Sequence, residues 1–69
     1  MKRIDARGLS CPEPVVMTRK AMASGEKEYD VLVDNLASKE NVTRYAQHEG
    51  YSVNVEEQDG EYTLHLTKP

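Results

Sequence analysis

The chain has 69 residues, 38% of them apolar and 30% charged, with twelve acids against nine bases for a formal net charge of −3. A domain of this size buries only about 60% of its unfolded surface, so one domain spanning residues 1–69 is expected, with no large enclosed active-site cavity. The acids and bases are scattered and leave no basic stripe to track phosphates, which argues against nucleic-acid binding, and no apolar run approaches membrane-spanning length.

Without Trp or Phe, the core must come from Val, Leu, Ile, Met and Ala, joined by four tyrosines whose hydroxyls need partners. Met1-Lys2-Arg3 is followed by Ile4-Asp5-Ala6-Arg7 and not by an apolar run, so no signal peptide is read. The lone cysteine can form no intrachain disulfide. Together these point to the cytoplasm.

A short first strand is predicted near Arg3 to Asp5, leading into Ala6-Arg7-Gly8-Leu9-Ser10, where Gly8 can turn the chain. Helix one should run from about Pro12 to Ala23. Pro14, Val15, Met17, Thr18, Ala21 and Met22 share one face, and Val16, Arg19 and Lys20 point outward. Ser24-Gly25 supplies the stop, and Lys20 suits the negative pole. Tyr29 to Asp34 reads as a second strand, parallel to the first through a right-handed crossover. Helix two should start near Ala37 or Ser38, capped by Asn35 or Ser38, place Val42, Tyr45 and Ala46 on one face, and stop at Gly50. Tyr51 to Val55 and Tyr62 to Leu66 alternate cleanly around Asp59-Gly60, an antiparallel hairpin with one wet face. The expected fold is an α/β two-layer sandwich of βαβαββ order, a four-stranded mixed sheet with two helices on one face.

The crossover puts Cys11 beyond a strand end, at the start of helix one, where unpaired N–H groups and the helix dipole favour an anion. The thiolate is the reactive form of cysteine. Pro12 disfavours helical dihedrals at Cys11 and suits it as an N-cap, although a register starting at Pro14 competes. Two prolines remove two donors, leaving Glu13 and the residues after Pro14 as the nearest N–H groups for the sulfur. The Glu13 side chain opposes ionisation, and Arg7 would offset it if the loop folds back.

Asp5-Ala6-Arg7-Gly8-Leu9-Ser10-Cys11-Pro12-Glu13-Pro14, followed by Val15 to Lys20, resembles the signature of the small sulfur-carrier family typified by TusA, with SirA and YedF as relatives. The expected βαβαββ order extends the resemblance over the whole chain, and Asp34-Asn35 with Asn41-Val42 resembles the YedF-like branch. The resemblance implies a sulfurtransferase-type carrier. Cys11 would accept sulfur as a persulfide from a cysteine desulfurase and relay it to a downstream sulfur-accepting protein, as in tRNA thiolation. Asp5, Gly8, Pro12, Glu13 and Pro14 would shape the loop and helix start, and only Cys11 would bond to sulfur. The YedF-like branch shifts the setting toward selenium or sulfur metabolism, and its longer members carry a second domain. With the chain ending at Pro69, the receiving cysteine is left open between a separate protein and a further portion of the same one.

Thiolate attack on a sulfur–sulfur bond needs an accessible nucleophile and a good leaving group, with no buried acid–base constellation, so no cofactor is called for. His48 and His65 have no ligand-like spacing to each other or to Cys11, and no metal site is expected. Met17 and Met22 are core residues, and Glu56, Glu57 and Glu61 belong to the wet face of the hairpin. Arg7, Val16, Arg19 and Lys20 are the candidate partner-binding residues, the basic ones suited to an acidic partner surface. A second reading from another class is a regulatory or docking module that binds protein or RNA through the open sheet face, with Leu32, Thr63 and His65 mattering more than the thiol.

Overall fold

In the computed structural model, which describes residues 2–69, six elements follow in the order β1 (Lys2–Asp5), α1 (Glu13–Met22), β2 (Glu28–Val33), α2 (Leu36–His48), β3 (Ser52–Gln58) and β4 (Glu61–Thr67). The strands form one mixed sheet of order β1-β2-β4-β3. β1 pairs with β2 in parallel, with Ile4 opposite Val31, and β4 runs antiparallel to both β2 and β3. The last strand of the chain thus sits inside the sheet, with Leu64 opposite Val31 on one side and Val55 on the other.

The helices cover one face, as the alternation of the strands requires. Ile4, Tyr29, Val31, Val33, Leu64 and Leu66 meet Val42 and Ala46 of α2 in a common core. α1 adds the buried Pro14 and Thr18, with Val15, Met17, Ala21 and Met22 half-buried. Thr18 answers the cost of a buried hydroxyl locally, by donating to the Pro14 carbonyl at 2.8 Å. The tyrosine hydroxyls also find partners. Tyr29 lies within 3.1 Å of the Ser24 hydroxyl and accepts from the Glu26 N–H, and Tyr51 donates to the Glu26 carbonyl. Their rings meet edge to face, centroids 5.9 Å apart. Two buried aromatic rings therefore also pin the loop from α1 to β2.

Element boundaries depart from the sequence reading by one to three residues, each for a local reason. α2 begins at Leu36 because Asn35, extended at φ −152°, accepts the Ser38 N–H at 2.8 Å. Asn35 is thus the cap, and Ser38 is packed into the core with Val42 and Ala46. β3 and β4 each run to seven residues, since pairing continues through Glu56, Glu57 and Gln58 to the turn. Asp59 and Gly60 both have positive φ, 53° and 81°, the geometry that matches a two-residue hairpin to the strand twist. The face away from the helices is less wet than expected along β2, where all five residues from Tyr29 to Val33 are buried. β2 is flanked on both sides, and Asp30 is held by His65 directly across the ladder on β4. Among the described residues, no helix is long and apolar enough to cross a membrane.

Candidate functional site

The loops after the two parallel strands meet at one end of the sheet. The Ala6 N–H continues the ladder to the Leu32 carbonyl at 2.9 Å. Gly8, at φ +79°, then turns the chain and donates its N–H to the Asp34 carboxylate at 2.7 Å. Asp5 holds the near side of this loop through Arg7, whose backbone N–H, Nε and Nη2 donate to its two carboxylate oxygens at 3.2, 2.9 and 2.8 Å. These hydrogen bonds from Arg7 bring the Asp5 carboxyl down to about 2 and raise the Arg7 guanidinium further above its ordinary value. The remaining arm of Arg7 reaches Glu61 at 3.3 Å. Arg7 therefore braces the loop against the β3–β4 hairpin, its guanidinium engaged by Asp5 and Glu61.

Ser10 to Glu13 form a turn closed by the Glu13 N–H on the Ser10 carbonyl at 2.9 Å, with a cis Cys11–Pro12 peptide. The Pro12 carbonyl accepts the Val16 N–H at 3.0 Å, so the cap of α1 is Pro12, without a side-chain cap, and Pro14 stands in the first turn. This corrects the placement of Cys11 as N-cap, and it moves the helix start one residue beyond Pro12. The Glu13 N–H, expected as a donor to the sulfur, is taken by Ser10. Cys11 itself is exposed, on the lip of the turn.

The sulfur finds its donor on the other helix. Asn41, in the second turn of α2, donates from Nδ2 to Cys11 Sγ at 3.3 Å. Its Oδ1 faces Arg44 Nη1 at 3.5 Å. Asn41 also lines a groove of about 350 Å³ with Val15 of α1 and Arg44, Tyr45 and His48 of α2, so the thiol sits beside an open, largely apolar channel between the helices. A groove of about 380 Å³ on the other side of Arg44, lined by Lys39, Glu40, Thr43, Arg44, Gln47 and Val55, holds no nucleophilic thiol. The role of Asn41 was out of reach of sequence reasoning, which used Asn41-Val42 only as a branch marker. The one available signal was its place beside the buried 38-42-46 stripe, on the same side as Tyr45 and His48.

The other candidates lie apart from the sulfur contact. Glu13, Arg19 and Lys20 are exposed along α1, and Val16, expected outward, is half-buried. Thr63 and His65 share the open sheet face with Leu32, which is only 8% exposed. His65 bridges Asp30 at 2.6 Å and Glu56 at 2.8 Å, and these two carboxylates, Glu56 foremost, raise its pKa. No group of three or more His, Cys, Asp or Glu among the described residues is arranged to hold a metal ion.

The family model described as Sulfurtransferase TusA matches residues 2–68. The chain belongs to the TusA family. It is 39% identical over 61 residues to a protein of Methanocaldococcus jannaschii provisionally named a sulfur carrier, covering 84% of this chain and 80% of the other. A similarly named protein of Archaeoglobus fulgidus is 41% identical over 44 residues, 61% of this chain and 57% of that one. The crystal structure of a SirA-like protein from Desulfitobacterium hafniense superimposes with a TM-score of 0.87 at 38% identity, covering 97% of this chain and 96% of that chain. The mixed four-stranded sheet with two helices on one face is thus a TusA-family architecture, and the Cys11 turn and Asn41 both fall inside the matched span.

Proposed function

We propose that this TusA-family chain is a sulfur carrier of one domain, residues 1–69, working in the cytoplasm. Cys11 accepts a sulfur atom as a persulfide from a cysteine desulfurase and passes it to a downstream sulfur-accepting protein, in tRNA thiolation or a related sulfur or selenium pathway. The observation that carries this reading is the exposed Cys11 thiol, presented on a turn, with an amide donor on its sulfur from Asn41, a residue that also lines an open groove. Such a site has what thiol–persulfide exchange requires, an accessible nucleophile with a hydrogen-bond donor on its sulfur, and it leaves room for a partner chain to bring the second sulfur. The names of the two archaeal relatives agree with it.

In this reading Asp5, Gly8, Pro12, Glu13 and Pro14 shape the presenting turn, and Arg7, Val16, Arg19 and Lys20 are the partner-binding residues. The docking alternative through the open face has less support, since Leu32 is buried and His65 is already engaged by two carboxylates of its own chain. Incubation with a cysteine desulfurase and cysteine, followed by intact-mass measurement, tests the reading. The wild-type chain should gain the mass of sulfur and Cys11→Ser, equally folded, should not. Equal gain in both forms, or none in either, would refute it. A docking role would instead leave activity intact in a Cys11→Ala strain.

A further inference from the structure

We propose that Asn41 is a catalytic residue, its side-chain amide stabilising negative charge on Cys11 Sγ and thereby assisting release of the carried sulfur; the release step rests on the sulfur-carrier reading. The amide has one orientation that satisfies both its ends. With Oδ1 toward the Arg44 guanidinium, Nδ2 points at the sulfur, and the flipped amide would set its NH2 against Arg44 Nη1 and its carbonyl against Sγ. Arg44 is therefore a positioning residue. The contact joins the turn before α1 to α2, between residues 30 apart in sequence, and of the turn's own backbone groups Pro12 has no N–H and that of Glu13 is spent on Ser10.

The hydrogen bond acts at different moments in the two transfers. In loading, the Cys11 thiolate attacks the terminal sulfur of the donor's persulfide. The new bond forms at Sγ, the donor's sulfur–sulfur bond breaks, and its electron pair leaves as the donor's thiolate, with no net oxidation or reduction. Sγ loses its charge in this step. In unloading, an acceptor thiolate attacks the terminal sulfur of the Cys11 persulfide, and the electron pair of the breaking bond returns to Sγ, where the Asn41 N–H meets it. A better-stabilised leaving thiolate departs faster, while the same stabilisation makes an attacking thiolate intrinsically less nucleophilic. Asn41 thus favours handing sulfur on.

The test measures Cys11 alkylation by iodoacetamide in the wild-type chain, Asn41→Ala and Asn41→Asp, beside discharge of sulfur from the loaded proteins to a small thiol. Alanine suits the interior of a helix, and thermal melts confirm that each variant is folded. At neutral pH, alkylation should fall about three- to tenfold in Asn41→Ala and further in Asn41→Asp, whose carboxylate opposes the thiolate at unchanged shape. At about pH 10, above the ordinary cysteine value of about 8.5, that order should vanish or invert. Discharge should slow several-fold in Asn41→Ala. Alkylation rates within twofold among the three at neutral pH, or discharge undiminished in Asn41→Ala, would overturn the assignment. A wild-type chain that never loads sulfur overturns the carrier reading instead, and the alkylation series then decides the Asn41 contact by itself.

Discussion

Gly8 shows how a single residue sets the position of the thiol. Its φ of +79° is a conformation that other L-residues adopt at a cost, yet a Cβ there would meet nothing within 4 Å. Gly8→Ala should therefore lose about 1 kcal/mol through the backbone alone in urea denaturation. Asp5 gives a second expectation. Its carboxyl should titrate at about 2 by NMR, and Arg7→Ala should return it toward the ordinary carboxylate range. The sign follows from the lowered value: whatever Asp5 contributes is present above about pH 4 and is lost as pH falls through about 2. Cys11, Pro12 and Pro14 were legible from sequence because their chemistry lies in side-chain type and adjacency. Asn41 was not, because its role depends on how α1 and α2 lie against each other, and no local pattern in one sequence encodes that packing.

At the level of elements, the cap of α2 and the open-face histidine are the most exposed to test. Asn35→Ala should cost about 1 kcal/mol in urea denaturation, the usual loss of a side-chain cap, whereas Ser38→Ala should cost less because Ser38 caps nothing and its buried hydroxyl has no partner. Sequence left these two open, since both residue types cap helices; the packing of Ser38 against the sheet removed it from the choice. His65 has both ring nitrogens engaged. Its partners lie 35 and 9 residues away, Asp30 directly across the β2–β4 ladder and Glu56 one step diagonally on β3, with Arg3 in register with Asp30 on β1. Because its folded pKa is raised, the stabilisation from protonated His65 is full below about pH 6.5 and is lost as pH rises through the raised folded value. His65→Gln should flatten the pH dependence of urea stability in that window. An unchanged slope would show that the clamp does not operate in solution.

Across the whole molecule, a thin core makes every large buried side chain count. Leu64, fully buried on central β4, should cost about 2–5 kcal/mol when replaced by alanine, a loss comparable to the low end of the 5–15 kcal/mol typical of folded domains. A substantial unfolded fraction at 25 °C is the expected outcome by circular dichroism. The βαβαββ order and the layer arrangement were readable because strand alternation and helical periodicity repeat over many residues. The central place of β4 was not part of that reading, since strand order in a mixed sheet depends on tertiary pairing. The resulting body buries its apolar side chains between sheet and helices and keeps the thiol on its surface, an arrangement suited to presenting sulfur to another protein. The decisive measurement is a load-and-release experiment: the wild-type chain, charged by a cysteine desulfurase and freed of it, is mixed with a thiol acceptor, and both are followed by intact mass. The account predicts that the chain loses the added sulfur as the acceptor gains it in equal amount. Sulfur that never arrives on Cys11, or that stays there when an acceptor is supplied, would contradict it.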